Sequence, residues 1–250
     1  MAAGASVGVL RTGTSGFAYS AWAPRFYPPG TRPDHRLATY ATRLAACELN
    51  GTFYRRPTRE QLRRWRDAVG PGFRFVVKAQ RGAALRAIRG EPEEPIAWVT
   101  QGLGELEASL GAVLLRVPAE ITRDDERLMA FLAAWPAAIP LVVELQDPSW
   151  HVDETFAALR NARAVLCTTE QDAAPEPDLR VTGPFVYLRL RRSAYAPAAI
   201  EAWAARLVPF LAAGLDGYAF VRHDEDGGSA LVAEALARAV ARRLEVGAPA

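Results

Sequence analysis

The chain has 250 residues, half of them hydrophobic, with 30 basic against 28 acidic side chains and a net charge of +2. That is enough apolar material for a sizeable core in one large domain or two small ones, and so even a balance is not the electrostatic signature of a general nucleic-acid binder. Cys47 and Cys167 lie in separate apolar segments and read as small core residues, with no disulfide or metal motif, and no run approaches the roughly 20 apolar residues of a membrane span.

Taken in order, the segment from Met1 to Gly8 lacks a basic stretch and a full apolar run, so no secretory leader and a cytoplasmic location are expected. Gly8 to Gly13 reads as a strand running into a Gly- and Pro-rich loop that ends near Pro33. Residues 34–46 carry Leu37, Tyr40, Ala41 and Leu44 at helical spacing, with Asp34 as N-cap. Cys47 to Asn50 is a short strand, and Thr58 to Val69 a helix with Thr58 as N-cap and Gln61 in the capping-box position. Phe73 to Lys78 is the third strand; a long segment with Gly82, Gly90, Pro92 and Pro95 then precedes a helix around residues 96–109. Ala112 to Val117 is a strand, Arg123 to Trp135 a helix, Pro140 to Leu145 a strand and Asp153 to Leu159 a helix. Ala164 to Thr168 is the sixth strand, followed by a Pro- and acid-rich loop over residues 170–184 with no clear helix. Phe185 to Leu190, Pro197 to Ala212, Gly217 to Val221 and Ser229 to Leu244 close the chain as strand, helix, strand and helix.

The strands are short, apolar and rich in β-branched and aromatic residues, as in a parallel sheet buried on both faces. Strict alternation with helices implies right-handed βαβ units, and eight of them in a chain of 250 residues match a closed (β/α)8 barrel. An open doubly wound sheet is the main rival. No composition shift or linker divides the chain, so residues 1–250 are expected to form a single domain.

In such barrels chemistry collects at the C-terminal strand ends. Those ends carry Ser15, Glu48, Asn50, Lys78, Arg116, Glu144, Gln146, Glu170, Arg189, Arg191, Arg222, His223 and Asp224. Strand ends meet loops, and loops are polar, so some of this is expected of any barrel. Charge placed directly after an apolar run, as in Val-Val-Lys78, Leu-Leu-Arg116 and Val-Val-Glu144, exceeds that expectation, because long charged side chains are seldom buried without partners. Pairing of Glu48, Glu144 and Asp224 with Lys78, Arg116 and Arg189 at about 4 Å and an effective dielectric near 20 is worth on the order of 4 kcal/mol per pair before desolvation. The arginines outnumber the acids facing them, and two guanidinium groups about 6 Å apart repel by roughly 3 kcal/mol. An anionic ligand relieves that repulsion, and forked Arg donors match carboxylate and phosphate oxygens. Gly13-Thr14-Ser15-Gly16 resembles a phosphate cradle by composition, but reads better as a tight turn that frees backbone amides.

Lys78 is the only lysine among the 30 basic residues. An ammonium can be desolvated towards neutrality, which a guanidinium cannot, so Lys78 is a candidate Schiff-base nucleophile or, with Glu48 or Glu144, one half of a proton-transfer pair. A metal-dependent hydrolase or phosphodiesterase would have to draw its ligands from Glu48, Glu144, Asp224 and His223; no resident metal or other cofactor is expected. A non-catalytic binding or scaffold protein would use the aromatics Phe17, Tyr19, Trp22, Phe26, Tyr27 and Trp150 as a partner surface, against the simpler reading of a hydrophobic lid over the barrel end. The run Arg55-Arg56, Arg59, Arg63-Arg64 and Arg66 invites a nucleic-acid partner, although an outer helix in an Arg-rich chain must have such a solvated face.

The string Gly13-Thr14-Ser15-Gly16-Phe17-Ala18-Tyr19, with Trp22 and Phe26-Tyr27-Pro28, resembles the opening of the YecE-like family of bacterial and archaeal barrels, domain of unknown function seventy-two. The likeness continues through Glu48-Leu49-Asn50-Gly51-Thr52-Phe53-Tyr54, Gly72-Phe73-Arg74-Phe75-Val76-Val77-Lys78, Glu144 with Pro148-Ser149-Trp150, Tyr187-Leu188-Arg189-Leu190, and Asp224. The resemblance implies a TIM-like barrel with its site at the mouth, and carries over Glu48, Asn50, Tyr54, Lys78, Glu144, Arg189 and Asp224 as site residues; it implies no reaction. This chain departs from the pattern in carrying Arg116 for a Gln, Gln146 for an Arg, Arg191-Arg192 for His-Gly, Arg222-His223 for Asn-Asn and Glu234 for an Asn. Taken together, the expectation is a small anionic or phosphorylated ligand, with Lys78, Glu48 and Glu144 as catalytic candidates. Ser15, Asn50, Tyr54, Arg116, Arg189, Arg191, His223 and Asp224 are the candidate ligand contacts.

Overall fold

Residues 6–247 are described in the computed structural model of the chain; residues 1–5, part of the N-terminal segment read above, and 248–250 lie outside them. The strands are β1 (Leu10–Ser15), β2 (Ala46–Leu49), β3 (Arg74–Lys78), β4 (Leu110–Val117), β5 (Leu141–Leu145), β6 (Val165–Glu170), β7 (Phe185–Leu190) and β8 (Asp216–Val221). They form a closed barrel in the order β1-β2-β3-β4-β5-β6-β7-β8, and the pairs β3–β4, β4–β5, β5–β6, β7–β8 and β8–β1 are parallel. The open doubly wound alternative is thereby excluded. The helices are α1 (Arg36–Ala41), α2 (Arg59–Asp67), α3 (Arg81–Arg89), α4 (Glu93–Thr100), α5 (Asp125–Ala134), α6 (Asp153–Asn161), α7 (Pro197–Ala212) and α8 (Gly228–Gly247). None of the described helices is long and apolar enough to cross a membrane.

The chain divides into two compact units: residues 1–47, 169–179 and 185–250, and residues 48–168 and 180–184. In the first unit, Gly217 sets the direction of the β7–β8 face. A Cβ added there would meet Val186 and Leu211 of α7, so that face is turned to the helix. Side chains alternate along a strand, so Tyr187, Arg189, Tyr218 and Phe220 point the other way, with the Tyr187 and Phe220 rings 5.3 Å apart. The aromatic segment after β1 is folded inward: Trp22, Phe26 and Tyr27 are buried, Trp22 stands edge-on to Phe26 at 5.7 Å, and its indole donates to the Asp224 carbonyl. Burying such rings is worth about 2–3 kcal/mol each, so these three belong to the core of the first unit. Gly13 is required by a close approach, because a Cβ would lie 1.9 Å from the Ala46 carbonyl oxygen. The adjacent Thr14 N–H donates to the Tyr40 hydroxyl, which itself donates to that same carbonyl.

The second unit holds β3 to β5 with α2 to α6. Thr58 caps α2 by accepting from Gln61 N–H at 3.1 Å, as its sequence requires. Leu62 is the buried anchor of that helix, and the opposite face carries the arginines. Trp150 of this unit is also fully buried, its indole donating to the Ile121 carbonyl.

Three expectations need correction. The first helix is shorter than residues 34–46: Asp34 sits in a 3₁₀ turn, Pro33–His35, and binds the Arg32 guanidinium without capping α1. The long segment after β3, to which the sequence pattern assigns no element, holds the helix α3. Gln80 caps α3 by accepting from Ala83 N–H, and Gly82 is tolerated because its neighbours Ala83, Ala84, Ala87 and Ile88 bury one face. The predicted helix at 96–109 is α4 followed, after Gly102, by the 3₁₀ segment Leu103–Ser109.

Candidate functional site

The second unit brings together the charges at the ends of β3, β4 and β5. The register pairs Lys78 with Leu114, Leu114 with Val142, and Arg116 with Glu144. By alternation, Lys78, Arg116 and Glu144 therefore share one face, with the Arg116–Glu144 pair one layer beyond Lys78. Arg116 Nε lies 3.9 Å from Glu144 Oε2, too far for a hydrogen bond. The firmer contact is from Arg116 Nη2 to Gln146 Oε1 at 2.7 Å. Lys78 Nζ stands 4.2 Å from the centre of the Phe53 ring, and its carbonyl accepts from Thr52 Oγ1. Glu48 and Glu144 are buried at the ends of β2 and β5. Asn50 precedes the 3₁₀ turn Gly51–Phe53, and Tyr54 beyond it is 81 % exposed, its ring edge-on to Phe53. With so little of its surface covered, Tyr54 gives this cluster no enclosing wall.

In the first unit a cavity of about 620 Å³ opens at the ends of β7 and β8, lined by Arg192, Tyr195, Arg222, His223 and the start of α8 among others. The ladder extends past the strands: Arg222 N–H donates to the Leu190 carbonyl and Arg191 N–H to the Glu170 carbonyl. Behind the wall lies Glu170, only 2 % exposed. Its carboxylate accepts from the Tyr195 hydroxyl at 2.6 Å and holds Arg192 Nη2 at 2.9 Å, while Arg192 N–H donates to the Tyr195 oxygen at 3.1 Å. Burial and the hydrogen bond to Glu170 raise the Tyr195 phenol above its ordinary value, so it stays protonated and presents a fixed dipole. His223 is stacked on Tyr19, with ring centres 5.0 Å apart and planes 8° apart.

Asp224, expected to contact ligand, closes the start of α8. Its carboxylate accepts from Gly227 N–H at 2.8 Å, Ser229 N–H at 2.6 Å and Ser229 Oγ at 3.1 Å. Gly227 at φ +84° makes the turn, packed on the side chains of Trp22 and Phe26. Asp226 accepts from Gly228 N–H and pairs with Arg25, and that amide, with the Arg25 charge, holds its carboxyl below the usual range. Ser15 is buried at the end of β1, where its carbonyl accepts from the Tyr19 hydroxyl. Thr14 and Ser15 belong to β1, and the Thr14 amide is bonded to Tyr40, so the loop does not free the amides that its composition suggested. Arg189 is almost wholly buried on β7, and Arg191 is anchored by its amide to β6.

Sequence reasoning passed over Arg192 and Tyr195 as site residues, and noted Glu170 only as a strand end. Tyr195 sits in an irregular loop between β7 and α7, where no periodicity marks its direction. The basic run on α2 is locally neutralised: Arg63 pairs with Glu105 at 2.7 Å, Arg66 with Asp67 and Glu107, and Arg64 with Glu60, while Arg56 bonds Gln101 and covers Trp98. That arrangement weighs against a phosphate-backbone footprint. Among the described residues no three His, Cys, Asp or Glu side chains come together as a metal site.

The sequence profile of a family described as protein of unknown function DUF72 matches residues 11–250. In solved structures the chain is similar to a DUF72 family protein from Enterococcus faecalis V583, with a TM-score of 0.73 and 19 % identity over 96 % of this chain and 97 % of that one. It is similar also to a DUF72 family protein from Thermotoga maritima MSB8, with a TM-score of 0.73 and 21 % identity over 95 % of this chain and 99 % of that one. No curated protein matches it in sequence.

Proposed function

This chain belongs to the DUF72 family of (β/α)8 barrels, and we propose that it binds a small anionic molecule at the ends of β7 and β8. In barrels of this class ligands meet the C-terminal strand ends, and a cavity of about 620 Å³ lies there, within the range that small molecules occupy. The observation that carries the reading is Arg222. The residue lines the cavity and is exposed, and its guanidinium has no ion-pair or hydrogen-bond partner among the described residues. Beside it Arg192 is held by the buried Glu170 and Tyr195. A guanidinium fixed in this way loses less freedom on binding, and its remaining N–H donors form a directional fork. Of the three acids on the wall, Asp224 and Asp226 are turned onto α8 amides and Arg25, and Glu225 is left exposed.

The face of Phe53 under Lys78 favours the charged ammonium. That contact supports a role for Lys78 as a fixed cation over one as a neutral Schiff-base nucleophile. The test is a panel of phosphate, sulfate, acetate and succinate, titrated into the protein at constant ionic strength against chloride, with melting temperature and calorimetry as readouts. At least one anion raises the melting temperature in the wild type, and the gain is lost in Arg222→Gln. If none exceeds chloride, the proposal is wrong.

A further inference from the structure

Resting on that reading, we infer that the cavity at β7 and β8 takes a carboxylate that also bears a cationic group, an amino-acid-like zwitterion, in preference to a phosphate. A barrel that binds phosphate at this position offers the free amides of a helix N-terminus after strands seven and eight. Here no short extra helix stands between β8 and α8 among the described residues, and the amides at the start of α8 itself are occupied: Gly227 and Ser229 donate to Asp224, and Gly228 donates to Asp226. A phosphate dianion arriving there meets two carboxylates and no free donor from those amides. The remaining anion-binding groups are guanidinium forks, which suit a singly charged acid.

The charges on the wall decide the rest. Three arginines and three acids line the cavity. Arg25 pairs with Asp226, Arg192 with Glu170 behind the wall, and Asp224 with the start of α8. Two charges have no such partner among the described residues: the guanidinium of Arg222 and the carboxylate of Glu225, both exposed and three residues apart on one loop. A simple anion on Arg222 leaves Glu225 as a like charge beside it. A zwitterion satisfies both. Val221, Ala194 and Val232 on the same lining supply apolar wall for a short aliphatic body, and the cavity is far larger than a bare ion needs.

The experiment measures dissociation constants of the full chain for butyrate, 4-aminobutyrate and inorganic phosphate at one ionic strength, in the wild type, Arg222→Gln and Glu225→Gln. The wild type binds 4-aminobutyrate about fivefold more tightly than butyrate, the gain expected of one part-exposed ion pair. Glu225→Gln abolishes that ratio without weakening butyrate, and Arg222→Gln weakens both. Phosphate binding tighter than either carboxylate and dependent on Arg222 overturns the inference and leaves the anion reading standing, as does a ratio that survives Glu225→Gln. Absence of Arg222-dependent binding for every probe removes both. Both positions are exposed, and matched melting temperatures without ligand verify that the variants fold. The butyrate ratio in the wild type needs no variant at all.

Discussion

Replacing Asp224 by Ala tests whether its carboxylate belongs to the fold or to the ligand. It serves two backbone amides and one hydroxyl at the start of α8, at 2.6–3.1 Å. Loss of an acidic cap ordinarily costs about 1–2 kcal/mol. The negative charge at the positive end of the 20-residue helix adds roughly 0.3–1 kcal/mol. Together these give about 1.3–3 kcal/mol for Asp224→Ala. In a domain of this size each kcal/mol moves the melting temperature by about 2–4 °C, so the expected drop is about 3–12 °C. Asp224→Asn keeps an acceptor oxygen but loses the charge, and falls between the two. Thermal and urea unfolding followed by circular dichroism give both values. The Trp22 indole bonds the backbone carbonyl of Asp224, so the native tryptophan signal of the folded variant is unchanged. An unchanged or higher melting temperature with lost anion binding would refute the reasoning, because it would return Asp224 to the ligand site.

Arg116 and Gln146 are expected to be coupled: Gln146→Arg alone sets a second guanidinium against the first, whereas Arg116→Gln with Gln146→Arg restores one cation and one amide. A double-mutant cycle of unfolding free energies gives a coupling above about 1 kcal/mol; additive single effects would mean that the 2.7 Å contact is incidental. Acid stability follows from surface carboxylates held low, Glu105 and Glu201 half-buried and Asp125 exposed: Glu105 by the Arg63 hydrogen bond, Asp125 by Arg123 and Glu201 by Arg243. A carboxylate whose folded pKa lies below its unfolded value stabilises above the ordinary 3.8–4.5 range and loses that contribution as pH falls through the depressed value. The melting temperature is therefore level near neutrality and falls below about pH 4.5, and Glu105→Gln flattens the acid limb at low salt; coincident profiles for the two proteins count against it.

The barrel was legible because its strands are short apolar runs whose ends carry charge, and that pattern survives a shift of a residue or two in every boundary. The α3 helix was missed because Gly82, Gly90 and two prolines read as breakers; Gly90 in fact closes the helix and Pro92 caps the next. Which way a strand-end side chain points depends on parity. The sequence alone left that open, and the register resolved it for Lys78, Arg116 and Glu144. The role of Asp224 was not legible, since a carboxylate after a strand looks the same whether it meets a ligand or the amides five residues on. Tyr195 carried no signal, because it reaches Glu170 across 25 positions of chain from an irregular loop.

The departures from the YecE-like pattern gain meaning once their contacts are known. Arg116 and Gln146, which looked like two independent losses, touch each other, so the guanidinium and the amide have exchanged strands. Glu234 receives Arg43 through two nitrogens at 2.6 and 2.9 Å, with the same guanidinium lying over Phe26. Arg192 is fixed by a buried carboxylate and His223 by a stacked phenol. Relaxation at a disused site scatters charges without partners, since nothing then opposes an unpaired guanidinium at the surface or a poorly packed ring inside. Here five of the altered positions each have a specific partner, and one further position, Arg222, lines the cavity. Under the proposal of an anion site at β7 and β8, that combination favours a changed ligand over a lost site, with Arg222 at the end of β8 as its cation.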